Sequence, residues 1–252
     1  MTSANPDAAW DRLWRASGAE ETAMNDFTIC YDKASGKLKK GIGCSEDKEQ
    51  FIGTVSEEVL ELPGISADGD TVFLDGFSFE TSADIAMAVP DGTKIVFKGD
   101  NFLSVRNDKP DANVGVLYAS GDLTLEGSAD SSLTVSADTE QGFWSRAVCA
   151  RAGDLTVDSG KVIARGGTSR KSCGLYAGGH LWIDTGEKGK ITINGGELDI
   201  IAKTNAVRAA EGRLTLAAGA AAENVKETIG ETGFKGDCLT AEDPEKPVRL
   251  HF

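Results

Sequence analysis

The chain has 252 residues, with 30 glycines and 6 prolines, and 26 basic against 40 acidic side chains give a net charge of −14. That sign excludes nucleic acid as an expected partner, because phosphate binding needs a basic surface. No apolar run approaches the ~20 residues that span a bilayer, so no membrane insertion is expected, and five cysteines in no metal-ligand spacing make neither a zinc site nor a closed disulfide framework.

The first residues, Met1 to Pro6, carry neither a charged leader nor an apolar signal core, which as written predicts a cytoplasmic protein. A cell-surface or secreted location follows if Met1 is not the natural start. Pro6 to Ser17 reads as a short helix: Asn5 can cap it, Pro6 suits its first turn, and Trp10, Leu13 and Trp14 share a face. Such a helix serves as a lid over an open apolar end or, in the alternative, as the docking surface of an interaction scaffold. A hairpin is expected next, from Phe27-Thr28-Ile29-Cys30-Tyr31 to Lys37–Ile42, turning at Ala34-Ser35-Gly36. Helix and hairpin together form an expected N-terminal cap over residues 1–60.

From residue 61 to 224 the pattern repeats. Gly121-Asp122-Leu123-Thr124-Leu125 returns as Gly153-Asp154-Leu155-Thr156-Val157, as Gly179-His180-Leu181-Trp182-Ile183 and as Gly212-Arg213-Leu214-Thr215-Leu216. A weaker copy, Thr93-Lys94-Ile95-Val96-Phe97, precedes them. The glycines stand 32, 26 and 33 residues apart, a drifting interval suited to stacked units with loops of different length. Apolar residues alternate with polar ones, which is the period of a half-buried strand.

Each unit carries two more short apolar segments, such as Val116-Leu117-Tyr118-Ala119 and Leu133/Val135. Three one-sided strands per unit bury their apolar faces only by stacking, so the expected fold is all-β, a right-handed single-stranded parallel β-helix (β-solenoid). Residues 225–252 read as its C-terminal cap. Cys149 and Cys173 fall out of register in neighbouring coils, and buried or idle thiols are expected.

Lining up the glycine strands stacks the outward positions. One column reads Lys94, Asp122, Asp154, His180, Arg213; the next Val96, Thr124, Thr156, Trp182, Thr215; the third Lys98, Glu126, Asp158, Asp184, Ala217. Like charges stacked at strand spacing repel by roughly 1 kcal/mol in water. The face is therefore either a solvated one balanced by Lys94, Lys98 and Arg213, or a calcium site using Asp122, Glu126, Asp154, Asp158 and Asp184, since hard cations take carboxylate oxygens.

Trp182 interrupts the threonine column and should stand on the surface beside those carboxylates, where an aromatic ring can stack on a sugar. Tyr118, Tyr176 and His180 extend that ligand-binding platform, unless Phe143-Trp144 folds over Trp182 and covers it. Neighbouring aspartates approach the spacing of a glycosidase pair, but any acidic ladder does so, and no catalytic constellation is specific enough to name.

Val116 to Leu125, Ile191-Thr192-Ile193-Asn194-Gly195-Gly196-Glu197-Leu198-Asp199-Ile200, Leu74-Asp75-Gly76 and Lys98-Gly99-Asp100-Asn101 together resemble the bacterial carbohydrate-binding parallel β-helix family, over residues 70–215. That family has a pectate-lyase-like fold without the lyase motifs. The resemblance implies non-catalytic binding of a polysaccharide or oligosaccharide, acidic sugars included, with calcium held between coils. A lyase or hydrolase on the same face is the alternative.

Overall fold

The computed structural model describes residues 24–47, 50–107, 109–110, 112–139, 141–178, 189–209, 213–226, 235–236 and 238–252. Among them it is all strand and turn, with no helix, and the strands form three long sheets wound around one core. The expected helix of residues 6–17 lies outside the described residues.

The nine-stranded sheet contains Gln50–Val59, Lys37–Asp47, Thr28–Asp32, Ile85–Val89, Asn113–Ala119, Trp144–Ala150, Lys171–Ala177, Asn205–Ala209 and Cys238–Leu239 as successive neighbours. In the eight-stranded sheet the order is Ile65–Asp68, Thr71–Asp75, Thr93–Lys98, Leu123–Gly127, Leu155–Ser159, Ile191–Ile193, Leu214–Leu216, Lys235–Gly236. The seven-stranded sheet runs from Ser78–Thr81 through Asp100–Arg106, Ser132–Asp138, Lys161–Arg165 and Glu197–Ile201 to Val248–His251 and Ala221–Glu223. Consecutive strands of the chain pass to different sheets and return one rung higher in parallel, which is the β-solenoid expected from the repeat.

Each sheet sends columns of apolar side chains into the centre. Ile29, Met87, Leu117, Val148, Leu175, Val207 and Leu239 stand level with one another in the first, all fully buried. Val72, Ile95, Leu125, Val157, Ile193 and Leu216 do so in the second, and Phe79, Leu103, Val135, Ala164, Ile200 and Val248 in the third. No single rung has an inside of its own, so burial arises from stacking.

Both ends of the stack turn antiparallel. Lys37–Asp47 pairs antiparallel with Thr28–Asp32, and Ile65–Asp68 with Thr71–Asp75, at one end. At the other, Cys238–Leu239, Lys235–Gly236 and Val248–His251 do the same. Reversed strands interrupt the parallel template that would otherwise recruit another copy. The expected hairpin is present, and its first strand is also a rung, bonded in parallel to Ile85–Val89.

Two registers differ from the expected alignment. Ile95 stands level with Leu125, not Leu123, and Thr93 takes the place beside Leu123. The cause is Phe97, whose buried ring lies where Gly127 is level with it: a Cβ on Gly127 would come within 2.1 Å of Phe97 Cε2. The strand settles where the bulky ring meets the residue without a side chain.

The second difference concerns the third copy, Gly179–Ile183. Ile191-Thr192-Ile193, preceded by Gly189-Lys190, pairs with Leu155-Thr156-Val157 on one side and Leu214-Thr215-Leu216 on the other. Gly179–Ile183, expected in that place, lies outside the described residues. The rung corner spans Ser120–Asp122 in one coil and Arg151–Asp154 in the next; in the following coil Gly178, Gly189 and Lys190 are described and residues 179–188 are not. Gly178 remains anchored to the Ala150 carbonyl (3.1 Å) and Gly189 to Asp154 Oδ1 (2.9 Å).

Candidate functional site

Asp91, just before the weak copy at Thr93, and the aspartates of the next two copies form a hydrogen-bonded ladder. Asp91 Oδ1 accepts the backbone N–H of Asp122 (2.6 Å), and Asp122 Oδ1 accepts that of Asp154 (2.9 Å). Asp154 Oδ1 in turn accepts the N–H groups of Gly189 (2.9 Å) and Lys190 (2.8 Å). Each carboxylate thus satisfies the corner backbone of the next rung, where the chain leaves one sheet for another and ladder partners run out. The glycines before Asp122 and Asp154 make this approach possible: a Cβ on Gly121 would fall 2.0 Å from Asp91 Oδ1, and one on Gly153 2.5 Å from Asp122 Oδ1.

The other described carboxylates of the expected calcium set are engaged as well. Glu126 forms an ion pair with Lys94, and Asp158 Oδ1 accepts from Asn194 Nδ2 (2.8 Å). The expected columns do not assemble as drawn. Lys94 stands level with Thr124 and Val96 with Glu126, while Thr192 completes the row Thr124, Thr156, Thr192, Thr215 that Trp182 was expected to interrupt. His180, Trp182 and Asp184 lie outside the described residues. Among the described residues no three His, Cys, Asp or Glu side chains gather as a metal-holding group.

Tyr118 and Tyr176 were expected on the open surface, and the structure corrects this: they are 2% and 5% exposed. They do point away from the central columns, but into a second buried cluster with Cys30, Cys44, Ile85, Ala88, Cys149 and Cys173 on the outer side of the nine-stranded sheet. The ladder fixes their company, since Tyr118 is level with Ala88 and Cys149, and Cys149 with Tyr176. Burial pushes Tyr176 up to about 12, partly offset by the Arg146 guanidinium 4.5 Å from its ring centre. None of the five cysteines is in a disulfide, four of them are buried, and burial likewise holds Cys173 up at about 12.

Along the rim of that sheet the structure assembles a group that sequence reading treated only as a cover for Trp182. Phe143 and Trp144 pack edge to face, with ring centres 5.7 Å apart. Lys171, level with Trp144 on the next rung, holds Nζ 4.6 Å from the Trp144 ring centre and 5.3 Å from that of Phe143. The Arg146 guanidinium lies 5.0 Å from the Trp144 ring centre. Phe143, Trp144 and Lys171 are half-buried, whereas Arg146 is buried. Rings that carry a cation beside an apolar face offer stacking area and positive charge at one place. The signal was the Phe-Trp pair at the head of a strand followed one rung later by Lys171; it needed the register to become visible.

No protein-family model, curated protein or solved structure matches the chain.

Proposed function

We propose that this β-solenoid binds a polysaccharide without cleaving it, and that an acidic glycan lies along the rim where Phe143, Trp144 and Lys171 meet. The supporting observation is that aromatic pair with its lysine: rings can stack on the apolar face of a sugar while an ammonium group meets a uronate carboxylate. Stacked rungs also suit a polymer, because their side chains recur at the ~4.8 Å strand spacing. The aspartates that suggested a hydrolytic pair are hydrogen-bonded to backbone, which favours binding over catalysis. Trp182 and His180, in the Gly178–Lys190 connection, enter the proposal as a second contact, and calcium as an ion between glycan carboxylates and the protein's own.

Titration calorimetry with pectic and alginate-type polysaccharides, with and without Ca²⁺, tests this reading. Trp144→Ala and Lys171→Ala should each weaken binding about tenfold, a loss of about 1.4 kcal/mol, with little change in melting temperature. Trp182→Ala separates the second contact from the first. Release of reducing or unsaturated ends by the wild type would replace binding with catalysis, and no heat across neutral and acidic glycans would overturn the proposal.

A further inference from the structure

Cys30 and Cys44 stand side by side in the hairpin that closes one end of the stack, their Sγ atoms 4.0 Å apart. Cys30 lies in Thr28–Asp32, bonded in parallel to the coil strand Ile85–Val89, and Cys44 in the outer strand Lys37–Asp47. The outer strand's pairing shifts between Ile42 and Ser45, and that irregularity surrounds Cys44. The two thiols are 4% and 1% exposed. Space around them is left by glycine: a Cβ on Gly41 would fall 2.5 Å from Cys30 Sγ and 2.6 Å from Cys44 Sγ, and one on Gly53 2.7 Å from Cys44 Sγ.

We propose that Cys30 and Cys44 are a dithiol modification site that closes to an intramolecular disulfide and staples the hairpin to the first coil. The reaction needs a two-electron oxidant, for which a low-molecular-weight disulfide such as oxidised glutathione suffices. The Cys44 thiolate attacks one glutathione sulfur, breaking its S–S bond and releasing one glutathione thiolate. The Cys30 thiolate then attacks Cys44 Sγ in the mixed disulfide, forming the protein S–S bond and expelling the second thiolate. Two protein thiols lose two protons and two electrons, and one oxidised glutathione becomes two reduced ones.

Hydrogen bonding from Cys30 lowers Cys44 from the ordinary thiol range, which suits Cys44 to attack first. Bringing the sulfurs from 4.0 Å to the ~2.05 Å of a bond asks for a side-chain rotation within the space the glycines leave. Cys149 and Cys173 lie in the same buried cluster but not level with one another: Cys149 faces Tyr176 and Cys173 faces Arg146. Access requires the outer hairpin to lift, so oxidation should be slow on the native chain. The closed form joins the strand on the coil to the strand that caps it, and its hairpin should no longer open alone.

The test equilibrates the full chain in glutathione buffers of graded oxidised-to-reduced ratio, quenches by alkylation and maps disulfide-linked peptides by mass spectrometry. The expected result is one internal link, Cys30 to Cys44, with the mass lowered by two hydrogens, reversed by dithiothreitol, and a melting temperature higher by about 5 °C. The link should vanish in Cys30→Ala and Cys44→Ala and persist in Cys149→Ala and Cys173→Ala. Glutathione adducts without an internal link, or a link between other cysteines, would overturn the proposal. The peptide map of the wild type decides even where a cysteine variant does not fold.

Discussion

The Asp122 carboxylate accepts the backbone N–H of Asp154 one rung away at 2.9 Å, so the acidic ladder is part of how the corner is built. What matters at this position is an acceptor, and the charge is secondary. Asp122→Ala leaves the Asp154 N–H without its partner and should cost about 1–2 kcal/mol. Asp122→Asn keeps a carbonyl oxygen there and should cost well under half of that. Denaturant melts of the two variants check this, and equal losses would mean that charge is the essential property.

Phe97 and Gly127 form a matched pair of large and absent side chains. Gly127→Ala places a methyl group 2.1 Å from Phe97 Cε2 and should destabilise by about 1–3 kcal/mol through overpacking. Phe97→Leu alone should cost a similar amount by leaving a gap. The double variant should recover part of the sum, because the methyl fills space that the ring vacated. A double-mutant cycle by urea unfolding measures the coupling, and strict additivity would refute the pairing.

The alternation in Leu123-Thr124-Leu125 and Leu155-Thr156-Val157 carries the fold because a one-sided strand has few ways to be buried, and the repeat supplies its neighbour. Register is less legible. Gly179 reads as the third copy because Gly174-Leu175-Tyr176-Ala177 leads to it, whereas Gly189-Lys190-Ile191-Thr192-Ile193, which pairs with Leu155-Thr156-Val157, carries the threonine that keeps the row unbroken. A drifting interval between repeats cannot say which of two nearby glycines leads the strand, and here the threonine of Ile191-Thr192-Ile193 marks the rung. The same limit hid the rim: Trp144 and Lys171 are far apart in sequence and adjacent only once strands are aligned. Tyr118 was read correctly as outward, but a strand pattern cannot report that a second apolar layer encloses it.

Asn101 binds three successive rungs at another corner. Its Oδ1 accepts the Phe77 N–H (2.9 Å), and its Nδ2 donates to the carbonyls of Lys98 (3.0 Å), Gly99 (3.1 Å) and Ser132 (3.2 Å). The residue is 2% exposed, so no water replaces those partners cheaply. Asn101→Ala should cost about 2–4 kcal/mol, and Asn101→Asp no less, because a carboxylate cannot donate to three carbonyls. Thermal unfolding of both variants checks this, and a stable Asn101→Asp protein would show that the donor side of the amide is dispensable.

The turn of the capping hairpin contains its own acid-sensitive contact. Asp32 Oδ2 accepts from Ser35 Oγ (2.7 Å) and pairs with Lys39 Nζ (3.0 Å), while Oδ1 accepts the Ala34 N–H (3.1 Å). The Ser35 hydrogen bond first, and Lys39 with it, lowers Asp32 from 3.8 to about 2. A folded value below the unfolded one means that folding favours the carboxylate. Its contribution is complete above about pH 4 and is lost as pH falls through 2. Asp32 is at the surface, so the effect should be small and weakened by salt. Wild type should melt above Asp32→Ala at pH 5, and the gap should close by pH 2. A gap that persists at pH 2 would mean that the aspartate acts through something other than its charge.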